Sequence, residues 1–211
     1  MTPATITPPT ATTAPFLPVG KPAPTFQPHR WTIAEYRELW KTGLFQDKKT
    51  MLLDGEIYVM VMPAPRHDTA LNLTQDVLRQ LFATGHHVRN QQGFDIGTRN
   101  DPGPDLAVVT GSVRDYTTKT PTSAVMVVEV SDTTLQTDLT VKAELYATAN
   151  VPEYWVIDLE NRQLVVFRDP KPLPKGLGAT AYRTHFTVAE GDSVTPLAAP
   201  TAAVKVADLL P

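Results

Sequence analysis

Hydrophobic and polar positions recur along this chain with helical and strand periods in a mixed order. Over 66–82, apolar side chains recur at spacings near three and four, which predicts a helix buried on one side. A shorter helix is predicted to run to about residue 40, because Thr32 and Glu35 have the spacing of a capping box. A third amphipathic helix is predicted over about 138–149.

Apolar runs bounded by turn residues predict the strands. Two runs over 51–62 are separated by Asp54-Gly55, a pair that supplies positive φ to a tight hairpin turn. Further strands are predicted at 88–96, 105–109, 124–130, 153–158, 163–168 and 182–188. The order is neither all-β nor regularly alternating, so the predicted fold class is α/β with a mixed sheet (α+β).

Composition narrows the class of protein. With 211 residues, 42% of them hydrophobic, the chain can bury one core, and we expect a single domain over 29–211. Residues 1–28 are rich in Pro, Thr and Ala, which predicts a disordered tail. No signal sequence or membrane span is evident, so a cytoplasmic protein is expected.

Charge and cysteine content exclude some kinds of site. The formal net charge is -3, so no overall positive field would hold nucleic acid, and any such contact must be local. The absence of cysteine excludes disulfides and thiolate metal ligands.

Two carboxylates occupy unusual positions in the predicted strands. Asp105 opens one apolar run, and Glu129 interrupts another that would suit the centre of a sheet. A buried carboxylate costs several kcal/mol unless it is paired, so Glu129 needs a metal or a cation as its partner. Magnesium prefers carboxylate oxygens, and Lys142 could orient or help deprotonate an attacking water.

Simpler interpretations exist for each of these residues. Asp105 follows Gly-Pro, which is typical of a turn, and Asp138 with Lys142 has the spacing of an ordinary helix pair. Glu129 and Lys142 could also form only a structural ion pair.

Four other polar residues are weaker candidates. His67 could contact phosphate from its helix start or be a surface group, and Tyr146 could line the site or pack the helix. Gln91 and Gln92 could extend a metal shell through water or lie on an exposed strand face.

An ordered set of motifs adds a family resemblance. The motifs are Asp54-Gly-Glu56, Pro65-Arg-His67, Pro104-Asp-Leu-Ala-Val-Val109, Val127-Val-Glu-Val-Ser131, Asp138 through Lys142 to Glu144-Leu-Tyr146, and Val151-Pro-Glu-Tyr-Trp-Val-Ile-Asp158. Together they resemble the Uma-two family of restriction endonucleases, a branch of the PD-(D/E)XK nuclease superfamily, over about residues 31–210.

The resemblance implies a restriction-endonuclease-like core, in which a central mixed β-sheet is flanked by helices. It also implies that Asp105 and Glu129 bind Mg²⁺ or Mn²⁺, that Lys142 is the catalytic lysine, and that Glu56 is a further acidic member of the site. The superfamily's usual lysine lies two residues after the glutamate, where this chain has Ser131. Lys142 matches a position to which the lysine has migrated in this family.

The predicted function is therefore a metal-dependent endonuclease acting on DNA, and a homodimer is expected by analogy with enzymes that cut two strands. The alternative is a catalytically inactive module that keeps the nuclease fold and binds nucleic acid or protein.

Overall fold

Strands lie between residues 50 and 205, and most of them overlap the predicted apolar runs. The computed structural model describes residues 27–60, 63–172 and 180–211. The strands are β1 (Thr50–Leu53), β2 (Glu56–Val59), β3 (His86–Asn90), β4 (Leu106–Thr110), β5 (Met126–Ser131), β6 (Glu153–Asp158), β7 (Gln163–Pro172), β8 (Thr180–Ala189), β9 (Ser193–Val194) and β10 (Val204–Lys205).

Helices make up the second set of elements. They are α1 (Ile33–Lys41), α2 (Pro65–Leu81), α3 (Leu135–Thr137), a π-helical turn (Asp138–Lys142) and α4 (Ala143–Thr148), with 3-10 turns at Val113–Tyr116 and Val206–Leu209. Since α3, the π-turn and α4 are continuous, we call residues 135–148 the composite helix. None of the helices in the described ranges is both long enough and apolar enough to cross a membrane.

Six strands form one mixed sheet in the order β3-β4-β5-β6-β7-β8. Strands β5 and β6 are parallel, and every other neighbouring pair in this sheet is antiparallel. The composite helix makes the crossover between β5 and β6, as a parallel pair requires. The prediction of a mixed α/β fold is confirmed.

Helices cover both faces of this sheet, which explains why its central strands are apolar throughout. On one face, Leu71 and Leu78 of α2 pack in the same hydrophobic cluster as Val128 and Trp155. On the other face, Tyr146 of the composite helix packs in a second cluster with Val127 and Val156. A buried polar side chain on a central strand therefore has to find its partner inside the protein.

Local sequence signals fix several element ends as predicted. The Thr32 hydroxyl accepts a hydrogen bond from the Glu35 amide at 3.2 Å, and the Glu35 carboxylate accepts one from the Thr32 amide at 2.8 Å, which completes the capping box. Asp54 and Gly55 have φ of 46° and 74° and form the turn of the β1-β2 hairpin.

Three predicted boundaries need correction or fall outside the described residues. The strand predicted over 88–96 ends at Asn90, because Gln91 has φ of 49° and leaves the extended conformation. The third helix begins at Leu135 rather than 138 and contains the π-turn. Strand β2 ends at Val59, and its predicted extension into residues 61–62 lies outside the described residues, as does the predicted tail apart from residues 27–28.

Candidate active site

Asp105 and Glu129 lie next to each other where the ladder between β4 and β5 ends. The last pair of that ladder is Leu106 with Val128, so the next positions bring the two acidic residues opposite each other. The Asp105 amide donates a hydrogen bond to Oε2 of Glu129 at 3.4 Å. The Val130 amide donates to Oδ2 of Asp105 at 2.9 Å. Each carboxylate is thus held by the backbone of the other's strand, although the residues are 24 positions apart.

Lys142 reaches this pair from the composite helix. Its Nζ lies 3.0 Å from Oε2 of Glu129 and 3.0 Å from Oδ1 of Asp138. Glu129 and Lys142 are 2% and 6% exposed, so their charges are shielded from water. The structure therefore pairs Glu129 with a cation, and Lys142 does more than form a surface pair with Asp138.

Three polar side chains complete the network around the two carboxylates. The Tyr146 hydroxyl donates to Oε1 of Glu129 at 2.6 Å, and the Gln91 amide donates to Oδ1 of Asp105 at 3.0 Å. His67, in the first turn of α2, has its Nε2 3.2 Å from Oδ2 of Asp105. Asp105, Glu129, Lys142, His67 and Tyr146 are therefore brought together as one buried cluster.

Glu56 and Gln92 are not brought into this cluster. Glu56 is exposed on β2, where it pairs with Arg30 at 2.6 Å and accepts a hydrogen bond from Tyr58 at 2.6 Å. Gln92 is exposed, and its neighbour Gln91 makes the contact with Asp105 instead. The turn at Gln91 explains this, because its positive φ ends the strand and aims that side chain at the site.

Asp138, which the sequence analysis treated only as an ordinary helix pair with Lys142, lies beside that lysine in the buried cluster. Asp138 is 1% exposed, and its Oδ2 accepts hydrogen bonds from Ser131 at 2.9 Å and Thr134 at 2.6 Å. The available signal was the group of hydroxyl residues between Glu129 and Asp138, which includes Ser131 and Thr134. Spacing alone did not distinguish this arrangement from an exposed helix pair.

Burial and crowding of like charge shift the pKa values of these groups. Burial raises the pKa of Glu129 to about 7. The nearby carboxylates of Asp105 and Asp138 also raise this pKa, whereas Lys142 lowers it. Burial by itself would lower the pKa of Lys142, but Glu129 and Asp138 outweigh it and raise that pKa. Near neutral pH, Lys142 is therefore an ammonium group, while Glu129 exchanges a proton.

Asp105 and His67 behave as an ion pair. Burial would raise the pKa of Asp105, but His67, the Val130 amide and Gln91 together lower it. The hydrogen bond to Asp105 raises the pKa of His67 against the opposing effect of burial. The lowered pKa keeps Asp105 charged near neutral pH, whereas Glu129, with its raised pKa, is the carboxylate that titrates there.

These shifts predict that stability falls as pH rises from 5 to 8 in the absence of divalent metal. Between pH 4.5 and about 7 the folded state keeps the Glu129 proton that the unfolded state loses. The free energy of unfolding therefore falls by on the order of 3 kcal/mol over this range. His67 acts in the same direction, because its raised pKa stabilises the folded state only while it is protonated. Thermal unfolding in EDTA should show a melting temperature lower by about 5–10 °C at pH 8 than at pH 5.

The matched control for this pH dependence is Glu129→Gln, which cannot titrate at that position. Its melting temperature should change much less over the same range, because the contribution of Glu129 is gone while that of His67 remains. Equal slopes in the two proteins would contradict a raised pKa at Glu129.

The donor set of the site fits a hard divalent cation. Mg²⁺ and Mn²⁺ take carboxylate oxygens, usually one or two from the protein, and retain water molecules for a phosphate to displace. Asp105 and Glu129 are the two adjacent carboxylates that could hold such an ion, and an ion there would compete with Gln91, Tyr146 or Lys142 for their oxygens. Within 27–60, 63–172 and 180–211, no group of three or more His, Asp or Glu side chains is arranged to hold a metal.

A separate cavity of about 670 Å³ lies beside the composite helix, between it and the β1-β2 hairpin. Val141, Glu144, Leu145 and Asp54 are among its lining residues, whereas Asp105, Glu129 and Lys142 are not. The candidate chemistry therefore belongs to the buried cluster and not to this cavity, because the cavity contains none of the paired groups with shifted pKa values.

Residues 33–206 match the Uma2 family, which is described as "Putative restriction endonuclease". The chain belongs to this family. The match spans the sheet, α2 and the composite helix, and so includes every residue of the buried cluster. Membership of Uma2 supports a nuclease function for the chain.

Solved structures provide a second comparison. One is described as the crystal structure of a putative nuclease belonging to DUF820 from Anabaena variabilis. It shares 15% sequence identity with this chain, with a TM-score of 0.66 over 84% of this chain and 96% of that one. This Uma2 chain thus has the fold of that protein, and the predicted restriction-endonuclease-like core is confirmed at the level of fold.

Another solved structure is the type IIG restriction endonuclease BpuSI, with 18% identity and a TM-score of 0.33. The alignment covers 55% of this chain and 12% of BpuSI, and a TM-score that low carries no argument. None of the curated proteins matches the sequence.

Proposed function

We propose that this Uma2 protein is a divalent-metal-dependent endonuclease that hydrolyses phosphodiester bonds in DNA. The observation that carries the proposal is the contact of Lys142 with Glu129 beside Asp105. These groups come from three parts of the chain and are almost completely buried. Burying charged groups costs stability, and such groups cluster at functional sites. Two carboxylates can hold the ion for metal-assisted phosphodiester hydrolysis, and an ammonium group can offset the charge that develops on the phosphate.

Asp105 and Glu129 would hold Mg²⁺ or Mn²⁺, which when bound supplies Lewis-acid stabilisation of charge on the phosphate. Lys142 acts as a hydrogen-bond donor, since its raised pKa keeps it protonated near neutral pH. It would orient the attacking water and offset the negative charge that develops on the phosphate.

Three neighbours would support these roles. Tyr146 fixes the orientation of the Glu129 carboxylate through its hydroxyl, and Gln91 does the same for Asp105. His67 would contact a phosphate oxygen from the first turn of α2, where the helix dipole also favours an anion. Glu56 and Gln92 take no part in this proposal, because their side chains are exposed outside the cluster.

A second candidate function is a module that keeps the fold and binds nucleic acid or protein without cutting. One observation favours it: every oxygen of Asp105 and Glu129 already contacts a donor from the protein. A network so fully satisfied stabilises a structure without needing a metal.

The deciding experiment incubates supercoiled, linear and single-stranded DNA with the protein and Mg²⁺, Mn²⁺ or EDTA. The wild type is compared with Asp105→Asn and with Asp47→Asn, which changes an exposed carboxylate away from the cluster. We expect metal-dependent cutting by the wild type and Asp47→Asn, and none by Asp105→Asn.

Melting curves with and without metal separate the two candidates. Specific binding to the folded state should raise the melting temperature of the wild type by mass action, and Asp105→Asn should lose that shift. DNA binding without cutting, together with no metal-induced shift, would favour the inactive module instead.

We also propose a domain organisation, a location and an oligomeric state for the protein. Residues 29–211 would form a single restriction-endonuclease-like domain in a cytoplasmic protein, where DNA is accessible. A homodimer would allow two strands to be cut. Strand β8 offers a surface for it, because β8 ends the six-stranded sheet and its outer edge pairs with no strand in the described part of the chain.

A further inference from the structure

The Asp138 carboxylate divides its two oxygens between two kinds of partner. Oδ2 accepts hydrogen bonds from the hydroxyls of Ser131 and Thr134, at 2.9 and 2.6 Å. Oδ1 faces the Lys142 ammonium at 3.0 Å. Two hydroxyls therefore fix the rotation of the carboxylate so that the other oxygen points at Lys142.

Lys142 is held from two sides by this arrangement. Its ammonium group lies between Oε2 of Glu129, on the sheet, and Oδ1 of Asp138, on its own helix. A lysine ammonium has three N–H donors, and Asp138 Oδ1 meets this one as an ion-pair partner at 3.0 Å without the geometry of a hydrogen bond. The two carboxylates therefore hold the ammonium group by charge from two directions.

The backbone around Asp138 is also constrained. Asp138–Lys142 forms a π-turn inside an otherwise α-helical segment, and such turns frequently occur at functional sites. The Tyr154 hydroxyl, from β6, donates to the Asp138 carbonyl oxygen at 3.0 Å. The π-turn is thus tied to the sheet on the side from which Lys142 reaches Glu129.

Ser131 has a particular place in this arrangement. It lies two residues after Glu129 on β5, so both side chains point to the same face of the sheet. The hydroxyl at this position donates to Asp138, which in turn faces Lys142. A residue on the glutamate's own strand therefore acts on the lysine through a carboxylate on the helix.

We propose that Asp138, oriented by Ser131 and Thr134, is the positioning residue for Lys142. This inference rests on the proposed function, since it assigns a role in the same site. A long, flexible lysine side chain loses considerable rotamer entropy when it is fixed. A carboxylate already held in place by two hydroxyls provides a fixed second counter-charge, which restricts Lys142 to one orientation at the site.

The first test observes Lys142 directly by NMR of ¹⁵N-labelled lysine ammonium groups, without DNA or metal. In the wild type, a buried and paired ammonium should give a signal protected from exchange, and Lys142→Arg identifies that signal by its absence. Asp138→Asn keeps the size of the side chain but removes its charge, so the protected signal should broaden or disappear.

The second test measures cleavage kinetics with Mg²⁺ or Mn²⁺. Loss of a residue that orients a catalytic group typically costs about 10- to 100-fold, so kcat of Asp138→Asn should fall in that range. KM for DNA should stay within about threefold, because a positioning residue would act through Lys142 and not through a contact of its own with DNA. Ser131→Ala should lower kcat in the same direction, and Ser131→Thr, which keeps the hydroxyl, should restore it.

Asp158→Asn is the matched control. Asp158 is a buried carboxylate at the end of β6 that accepts hydrogen bonds from Asn161 and Gln163 and does not contact Lys142. Its replacement should change neither the Lys142 signal nor kcat. Equal effects of Asp158→Asn and Asp138→Asn would reveal general destabilisation and overturn the positioning role.

The outcomes separate this inference from the proposed function. An unchanged Lys142 signal in Asp138→Asn, or a rise in KM with kcat preserved, overturns the positioning role. Absence of cutting by the wild type overturns the nuclease function, while the NMR signal still decides whether Asp138 holds Lys142.

Discussion

Glutamine in place of Glu129 is expected to abolish DNA cleavage while the protein stays folded. The substitution keeps the size of the side chain but removes a charged metal ligand. Metal-assisted charge stabilisation is worth several kcal/mol, so the rate should fall by about 10³-fold or more. Single-turnover cleavage of supercoiled DNA, with enzyme in excess over substrate, measures this effect without a contribution from product release.

Folding of this variant is expected to be preserved because the amide can keep part of the network. Its oxygen can accept the hydrogen bond from Tyr146, and Lys142 still has Asp138 as a counter-ion. The neutral amide also avoids burying a negative charge. Circular dichroism and a single cooperative melt would establish that lost activity is not lost structure. Wild-type cleavage rates in Glu129→Gln would rule out Glu129 as a metal ligand.

Methionine in place of Lys142 is expected to cause a large loss of activity, as glutamine at position 129 does. Unlike that substitution, it should also greatly lower the stability of the protein. Glu129 and Asp138 would then remain buried without their shared cation. Removing one partner of a buried pair typically costs about 3–5 kcal/mol. For a chain of this length, that corresponds to a melting temperature lower by about 10 °C.

The loss of stability in Lys142→Met should depend on pH. With the lysine gone, the remaining carboxylates and burial favour the protonated form of Glu129 even more strongly, and a protonated Glu129 is neutral. The destabilisation should therefore be smaller at pH 5 than at pH 8. Chemical denaturation at both pH values measures it, and cleavage measured at a temperature where the variant is folded separates activity from stability.

Lys41→Met provides the matched control for this substitution. Lys41 is exposed on α1, and its ion-pair partner in the described part of the chain is the exposed Glu38. Surface substitutions of this kind usually change stability by less than about 0.5 kcal/mol. Similar losses in Lys41→Met and Lys142→Met would contradict the assignment of a buried, shared cation.

Local sequence patterns determined much of the fold. The capping box at Thr32 and the Asp-Gly turn at 54–55 act within a few residues, so both were predictable from spacing alone. The apolar runs of β4, β5 and β6 were equally clear, because both faces of these strands are covered by helices. The position of Glu129 within such a run also indicated that a buried charge would need a partner.

Tertiary structure alone decided how that partner is provided. Which side chains meet at Asp105 depends on the pairing of β4 with β5, and that register is set by packing across 24 residues of chain. Gln91, instead of Gln92, contacts Asp105 because the positive φ of Gln91 ends β3 at Asn90. The periodicity of apolar residues predicts neither the register nor this positive φ.

The sequence by itself determined most of the elements, the unusual position of Glu129 and the resemblance to Uma2. Only the tertiary structure joined Lys142 to both Glu129 and Asp138, through a π-turn that periodicity does not reveal. The physical reason is that a hydrophobic pattern specifies which face of an element is buried, whereas the direction of a polar side chain depends on the neighbours that the whole fold brings to it.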